Sequence, residues 1–301
     1  MPMPAMLPPI RSRSGRTMLS VDHRGHSASF GPSRRQWPSL RAGFVALVTL
    51  LALLAGKAGI AHAQRLSPEE TLKLVKALDE RQRNSGDYKA LVYLERKEKD
   101  KNDLIYQLVV YRRDADDKLM MLFLKPKAEA GKGYLRIDKN MFMYDPATGK
   151  WDRRTERERI GGTDSRRADY DESRLAEEYI PSYVAEEKLG RFAVHHLELR
   201  AKPNADVAYP VLHMFIDKET GNLLKQQEYA LSGKLMRTSY YPKWEKMFSP
   251  SKGANIYFPK EIRIFDEVEK GNRTTILMQE VDLGKLEANI FTKAWLESRS
   301  R

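Results

Sequence analysis

The sequence predicts a mainly β protein of the α+β class, built on one curved antiparallel sheet. Three observations predict it: apolar side chains alternate with a period of two from residue 88 onward, turn residues recur between these segments, and one strongly helical segment precedes them. The short connections favour antiparallel neighbours, because parallel strands need a long crossover. We therefore expect ten or eleven strands in a single meandering sheet.

The first 63 residues of the 301-residue chain are predicted to be a disordered leader followed by a secretory signal peptide. They hold eight basic side chains and one acidic side chain, and so most of the formal net charge of +12. An uncharged apolar run over 42–56 leads to an A-x-A pattern that ends at Ala63. This run is short of the ~20 residues that span a membrane. We expect cleavage between Ala63 and Gln64, which leaves one domain over 64–301.

The chain contains no cysteine. This excludes disulfides, thiolate metal sites, a cysteine nucleophile and a lipidated N-terminal cysteine. Together with the predicted export signal, it indicates an envelope protein of a Gram-negative bacterium that folds in the periplasm without disulfides.

One helix opens the predicted domain. Ser67 is the predicted N-cap, Pro68 suits the first helical position, and Glu70 completes a capping box. The apolar stripe at helical spacing consists of Leu72, Leu74, Val75 and Leu78. Residues 84–86 end the helix. A single narrow stripe of this kind predicts that the helix packs against the sheet.

The strands fall into two groups separated by a charged region. The candidates of the first group are residues 88–94, 106–111, 118–124, 135–137 and 141–144. Those of the second group are residues 192–199, 211–216, 223–231, 235–241, 262–265 and 274–283. The region over 153–190 is predicted to be an insertion of loop and short helices over the sheet. A short helix over 172–179 stops before Pro181.

Several strands are apolar on both faces, so both faces of the sheet need cover. Met121 and Phe123, for example, alternate with Leu122 and Leu124. A curled sheet would place this surplus inside, where small barrels can enclose a ligand cavity. All methionines of the predicted domain lie after residue 119. Methionine adapts to acyl chains and also fills gaps in a core, and both interpretations stay open.

Catalytic and metal-binding patterns are absent from the sequence. It contains no H-E-x-x-H, nucleophile-elbow or phosphate-loop motif. His195 and His196 are adjacent, so on a strand they point to opposite faces and cannot share a metal. Asp164, Asp169 and Asp171 lack the calcium-loop pattern, and we expect them to cap helices and face solvent. The sequence therefore predicts no enzyme, no metal site and no cofactor.

Two other classes of protein are less favoured. The predicted domain carries a net charge of only +5, and its basic runs are interleaved with acidic residues, which favours a solvated surface over a nucleic-acid site. An outer-membrane β-barrel needs strands of about ten residues with one apolar and one polar face. The strands here are shorter or carry charge on both faces.

Several segments in the middle and near the end of the chain carry a family resemblance. These are Gly133-Tyr134-Leu135-Arg136, Asn140-Met141-Phe142-Met143-Tyr144-Asp145-Pro146, Arg159-Ile160-Gly161-Gly162-Thr163-Asp164, Pro259-Lys260-Glu261-Ile262 and Phe291-Thr292. In this order they resemble the outer-membrane lipoprotein-sorting protein family, of the LolA/LolB-like type. Phe142-Met143 stands where a tryptophan is common in that family.

The resemblance implies an incomplete, strongly curved β-barrel whose opening is covered by helices. It implies a periplasmic carrier, without a cofactor, that binds the acyl chains of lipoproteins or lipids in an apolar cavity for transport toward the outer membrane. An inner-membrane transporter or an outer-membrane acceptor would be a further partner, and we expect a monomer. The candidates for lipid contact are Tyr111, Met121, Phe123, Met141 and Met143. The alternative is a non-carrier envelope protein, a binding or scaffold module that acts with a membrane transporter.

Overall fold

The computed structural model of the protein describes residues 65–83, 86–137, 140–155, 158–170 and 173–300. The predicted signal segment and its cleavage site between Ala63 and Gln64 lie outside these residues, as do Asp171 and the predicted helix end at Asn84-Ser85. Export and the domain boundary at residue 64 therefore stay predictions. No helix among the described residues is both long enough and apolar enough to span a bilayer.

Thirteen strands and three α-helices form the described part of the chain. The strands of the first half are β1 Asp87–Lys97, β2 Leu104–Arg113, β3 Lys118–Lys125, β4 Gly133–Ile137, β5 Asn140–Asp145 and β6 Lys150–Arg154. Those of the second half are β7 Tyr179–Leu189, β8 Phe192–Ala201, β9 Val211–Asp217, β10 Leu223–Tyr229, β11 Leu235–Ser249, β12 Ala254–Asp266 and β13 Arg273–Asp282. The helices are α1 Pro68–Arg83, α2 Leu175–Glu178 and α3 Lys293–Arg299.

All thirteen strands form one antiparallel sheet in the order β6-β5-β4-β3-β2-β1-β13-β12-β11-β10-β9-β8-β7. The sheet is curved and does not close into a barrel, which confirms the predicted fold class. Apart from the β1–β13 pair, all paired strands are consecutive in sequence, as short connections favour, and the consecutive strands β6 and β7 lie at opposite edges of the sheet.

The expected number of ten or eleven strands is too low, because β7 and the last two residues of β6 lie in the region over 153–190 that is predicted to be loop and short helices. Both are edge strands rich in charged residues, so neither shows the alternation of a half-buried strand. Pro181 lies within β7 rather than before a loop. An edge strand tolerates proline, because an amide that points away from the sheet has no ladder bond to lose. The only α-helix that the structure describes in the insertion is α2.

The two faces of the sheet differ in what covers them. Residues that pair directly across antiparallel strands lie on the same face, so the register can be followed across the sheet. Ile264 pairs with Ser239, Ser239 with Gln226, Gln226 with Met214, and Met214 with Leu197. We call this the inner face, and it also carries the buried side chains Leu94, Tyr106, Met121 and Tyr134.

Helix α1 covers one end of the inner face. The N–H of Ser67 donates to Glu70 Oε2 at 2.8 Å and the N–H of Glu70 donates to Ser67 Oγ at 3.2 Å, which confirms the predicted capping box. Val75 and Leu78 are buried in a cluster with side chains of β7 to β10. Asp79 of the same helix accepts hydrogen bonds from the first amides of α2 at 2.8 Å and so holds the insertion against α1.

The outer face is the opposite side of the sheet, and helix α3 covers part of it. Phe291 and Leu296 pack there on Met120, Leu122 and Leu135. These three sheet residues alternate with inner-face residues on β3 and β4. The prediction that both faces of these strands need apolar cover is therefore confirmed.

Candidate functional site

A cavity of about 220 Å³ lies on the inner face, where residues 158–170 cross over the first half of the sheet. We call these thirteen residues the strap. The cavity is lined by Phe123, Glu129, Lys132, Tyr134, Met143, Arg154, Arg159, Gly161 and Gly162. Aromatic and thioether side chains of the sheet form its floor, charged side chains form its wall, and the two glycines form its roof.

The roof of the cavity is a tight turn. Gly161 and Gly162 have φ values of 58° and 70°, which favour glycine. A Cβ on Gly161 would lie 3.3 Å from the ring of Phe123. The N–H of Gly161 donates to Tyr134 Oη at 3.2 Å, and Arg96 Nη1 donates to Gly162 O at 3.1 Å. The turn therefore lies directly on the aromatic floor.

Asp164 fastens the strap to β13 and β12. Its N–H donates to Thr274 Oγ1 at 2.8 Å, and that hydroxyl donates to Asp164 Oδ2 at 3.0 Å. Arg159 links Asp164 Oδ1 at 3.0 Å to Asp266 Oδ2 at 3.1 Å. Burial raises the pKa of Asp164. The expectation that Asp164 faces solvent is wrong, because Thr274 and Arg159 supply polar partners inside the protein.

A second attachment joins the strap to the middle of the sheet. Arg237 Nε lies 2.5 Å from Glu228 Oε2, and Arg237 Nη2 lies 2.5 Å from Asp169 Oδ1. The guanidinium and Glu228 are buried. Asp169 of the strap is exposed and accepts a hydrogen bond from the N–H of Arg166 at 2.7 Å, in agreement with the expectation for this residue, and it is in addition a counterion of Arg237.

Buried arginines of the sheet hold the end of the strap. Arg136 Nη2 donates to Tyr170 O at 2.6 Å, and Arg112 Nη1 donates to the same oxygen at 3.2 Å. Tyr170 packs against the inner-face cluster, and burial raises the pKa of its phenol. The strap is therefore held mainly by polar contacts, with Ile160 as its buried apolar side chain.

The structure brings together four of the five candidates for lipid contact. Met121, Phe123, Met141 and Met143 all lie in the inner-face cluster beneath the strap. Phe123 and Met143 line the cavity, whereas Met121 and Met141 are fully buried below it. Tyr111 lies on the outer face, where its ring meets Trp295 edge-on at 5.3 Å. Contact of the four inner residues with a lipid stays a prediction.

Sequence reasoning missed the charged wall of the cavity. Arg154 and Arg159 belong to basic runs interleaved with acidic residues, a pattern that predicts solvated surface, and Lys132 lies in the connection between β3 and β4. Arg154 reaches the inner face because it pairs with Met141 across β5 and β6. That pairing follows from the register of an edge strand that the sequence did not reveal, so the only available signal was the Arg159-Ile160-Gly161-Gly162 motif.

A second polar cluster lies on the outer face. His196 Nε2 is 2.7 Å from His213 Nδ1, and His196 Nδ1 is 2.7 Å from Glu187 Oε1. His195 lies on the inner face against Tyr183, which confirms that the two adjacent histidines are separated. In the part of the chain that the structure describes, no group of His, Asp or Glu residues has the arrangement of a metal site.

Three solved structures of other proteins have a fold similar to that of this chain. A structure of a Vibrio parahaemolyticus domain named for outer membrane lipoprotein sorting matches with a TM-score of 0.67 and 18% identity, over 77% of this chain and all of that one. A LolA superfamily protein from Nitrosomonas europaea matches with a TM-score of 0.61 and 18% identity, over 75% and 98%. A DUF1329 family protein from Desulfovibrio piger matches with a TM-score of 0.67 and 20% identity, over 77% and 100%.

These matches confirm at the level of the fold the resemblance that the sequence motifs carry. A family model described as an uncharacterized protein matches residues 115–298, which is more than half of the chain. The chain therefore belongs to this family, and its structure has the LolA-type fold. A comparison with curated protein sequences finds no match.

Proposed function

We propose that this protein is a periplasmic carrier that binds the acyl chains of lipoproteins or lipids on the inner face of its sheet, beneath the strap. The observation that carries the proposal is the cavity between Phe123, Met143 and the strap, in a fold shared with a lipoprotein-sorting domain. The proposed mature protein begins at Gln64 after signal cleavage, and one monomeric domain extends to residue 301. Its further partner would be an inner-membrane transporter or an outer-membrane acceptor.

The small size of the cavity means that the protein must rearrange before an acyl chain can bind. At about 220 Å³ it is smaller than the roughly 300–1,000 Å³ of ordinary ligand pockets. Met121 and Met141 lie directly below it and are flexible side chains that can rearrange around a ligand. An acyl chain therefore enters when the strap moves away from the sheet, and each buried methylene then contributes about 0.8 kcal/mol.

The attachments of the strap suit such a movement. They consist mainly of hydrogen bonds and ion pairs to β1, β2, β4 and β11 to β13, whose groups can exchange partners with water when the strap lifts. Ile160 is the buried apolar side chain that would be exposed. A bound acyl chain would cover the same surface and replace that contact. No bond is made or broken in this process, so the proposal involves binding and not catalysis.

A variant in which a disulfide joins the strap to the sheet tests the proposal. Thr274 Oγ1 lies 3.0 Å from Asp164 Oδ2, so these two side chains are neighbours. In the double variant Asp164→Cys/Thr274→Cys, the chain has no other cysteine that could compete for the disulfide. We expect native mass spectrometry of the periplasmic protein to show a co-purified lipid, and the oxidised variant to take up no lipid.

The same variant after reduction is the matched control, because it carries identical substitutions with a free strap. We expect it to regain lipid uptake. Equal uptake by the oxidised and the reduced forms would contradict entry beneath the strap. Absence of lipid from the native protein, together with no binding of alkyl probes by the reduced form, would contradict the carrier function itself.

One observation favours the alternative, a binding or scaffold protein of the envelope that acts with a membrane transporter. The inner-face cluster is closely filled, with Met121, Met141, Ala90 and Leu94 fully buried. A pull-down from membranes that recovers a transporter, combined with a protein that carries no lipid, would support this alternative over the carrier.

A further inference from the structure

The wall of the cavity is positively charged, although an uncharged acyl chain needs no cation for binding. Lys132, Arg154 and Arg159 face it together with a single carboxylate, Glu129. Cations beside an apolar floor lose hydration, and they need an acceptor to offset that loss. The existing partners of each cation therefore indicate which of them is available to a ligand.

Two of the three cations have strong partners. Lys132 Nζ lies 3.0 Å from Glu129 Oε2. Arg159 is shared between two carboxylates, Asp164 at 3.0 Å and Asp266 at 3.1 Å. These contacts hold the wall and the strap in place, and they neutralise the two side chains locally.

Arg154 is held differently. Its Nη1 donates to Glu158 Oε2 at 2.9 Å, but among the residues that the structure describes its Nη2 donates only to the sulfur of Met143, at 3.1 Å. A thioether is a weak acceptor. The Nε atom of Arg154 is buried and has no hydrogen-bond partner among the described residues. Two of the three guanidinium nitrogens thus lack a strong acceptor at the wall of a cavity.

We propose that Arg154 binds the oxyanion of an anionic amphiphile whose alkyl chain lies on Met143 and Phe123. A guanidinium can donate two parallel hydrogen bonds to a carboxylate or phosphate. The ammonium group of a lysine is a point charge and lacks this planar, two-pronged geometry. The Arg154–Met143 contact places the anion site directly beside the apolar floor. Tyr134 Oη, which accepts from Gly161, can donate its own proton to the same oxyanion.

This inference rests on the proposed lipid binding and adds the charge of the headgroup to it. Phosphate and carboxylate share the oxyanion chemistry, and they would correspond to an anionic phospholipid and to a fatty acid. The present cavity is large enough for a headgroup while the strap is closed, whereas the chain needs the strap to open.

Calorimetric titration with three probes of equal chain length tests the inference. Decyl phosphate, decanoate and decanol are added to the purified protein below the concentrations at which they form micelles. We expect the two anions to bind at least tenfold more tightly than decanol. The variant Arg154→Gln loses this preference and keeps the affinity for decanol, and Arg154→Lys retains part of it.

Arg153→Gln is the matched control. Arg153 is the neighbouring residue on β6, is exposed, and pairs with Phe142 on the other face. We expect this variant to keep the full preference for the anions. Thermal unfolding of each variant verifies that its fold is intact, and the tighter of the two anions identifies the headgroup as phosphate or carboxylate.

The possible failures are distinguishable. Equal affinity for all three probes, unchanged in Arg154→Gln, would overturn the headgroup site and leave the proposed lipid binding in place. A preference for anions that Arg154→Gln preserves would overturn the assignment to Arg154. Failure of all three probes to bind would overturn the lipid-binding function, and the headgroup site with it.

Discussion

His196 Nε2 lies 2.7 Å from His213 Nδ1 on the outer face of the sheet. Only one of these nitrogens can carry the proton of the bond, because two N–H groups would repel each other. Glu187 Oε1 lies 2.7 Å from the other nitrogen of His196, and Glu198 Oε2 lies 3.4 Å from His213 Nε2. The four side chains form a polar row whose central bond breaks when both imidazoles are protonated.

We predict that the free energy of unfolding falls as the pH falls below about 6.5, the ordinary pKa of histidine. Burial lowers the pKa of His213 in the folded protein, and the adjacent His196 lowers it further. Burial also lowers the pKa of His195. The unfolded chain therefore binds more protons than the folded chain below pH 6.5, which favours unfolding. Urea unfolding at pH 7.5 and at pH 5.5 measures the difference.

His213→Gln is the control for this prediction, because glutamine can still hydrogen-bond to His196 and does not titrate. We expect a smaller pH-dependent loss of stability than in the unaltered protein. Lys225 and Arg200 also disfavour the protonated form of His213, whereas Glu198 favours it. An equal loss in the two proteins would show that the central histidine pair is not the origin of the effect.

Substitution of Gly161 in the roof of the cavity, compared with substitution of Gly149, distinguishes the stability cost of backbone strain from that of a close side-chain contact. Gly161→Ala places a Cβ 3.3 Å from the Phe123 ring at a φ of 58°. Gly149→Ala creates the same kind of strain at a φ of 66°, with no atom within 4 Å. We expect a loss of about 1–2 kcal/mol from the backbone in both variants and a larger loss in Gly161→Ala. Equal midpoints of urea unfolding for the two variants would show that the Phe123 ring moves away from the added Cβ at no cost in stability.

The sequence predicts the sheet well because its central strands are apolar and its turns are short. It does not predict the edge strands β6 and β7, whose charged residues have a partner strand on one side only and need no apolar pattern. Nor can it assign Tyr111 to a face, because that depends on its pairing with Met120 and not Met121. The polar attachments of the strap join residues 27 to 110 positions apart, the longest being that between Asp164 and Thr274, and no local pattern marks such pairs.

We predict that one close contact, between Leu296 of helix α3 and Gly133 of β4, stabilises the packing of this helix on the sheet. Leu296 is fully buried, and a Cβ on Gly133 would lie 2.6 Å from its Cδ1 atom. We expect Leu296→Ala to lower the free energy of unfolding by about 2–5 kcal/mol through the cavity it leaves. Gly133→Ala is destabilising through overpacking against Leu296 and against the backbone oxygen of Met121 at 2.7 Å, and the double variant loses less than the sum of the two, since the alanine at 296 removes the first of these contacts. Strictly additive losses in denaturant unfolding would contradict this contact.

Arg237, which joins Asp169 of the strap to the buried Glu228 of the sheet, is predicted to be the costliest attachment of the strap to disrupt. The two side chains are only 8% and 2% exposed. Arg237→Met leaves the buried carboxylate without its guanidinium and releases Asp169, so we expect a loss of about 3–5 kcal/mol. Denaturant unfolding measures this loss, and hydrogen exchange at the Arg167 amide, which donates to Glu158 O, reports loosening of the strap.

Two comparisons make the Arg237 prediction specific. The double variant Arg237→Met/Glu228→Gln removes both buried charges, so it should be more stable than Arg237→Met alone. Arg200→Met breaks an exposed pair with Glu198, and we expect it to cost less than about 1 kcal/mol. Two results would contradict the role of the buried Glu228 charge. One is that Arg237→Met is no more destabilising than Arg200→Met, and the other is that the double variant is less stable than Arg237→Met.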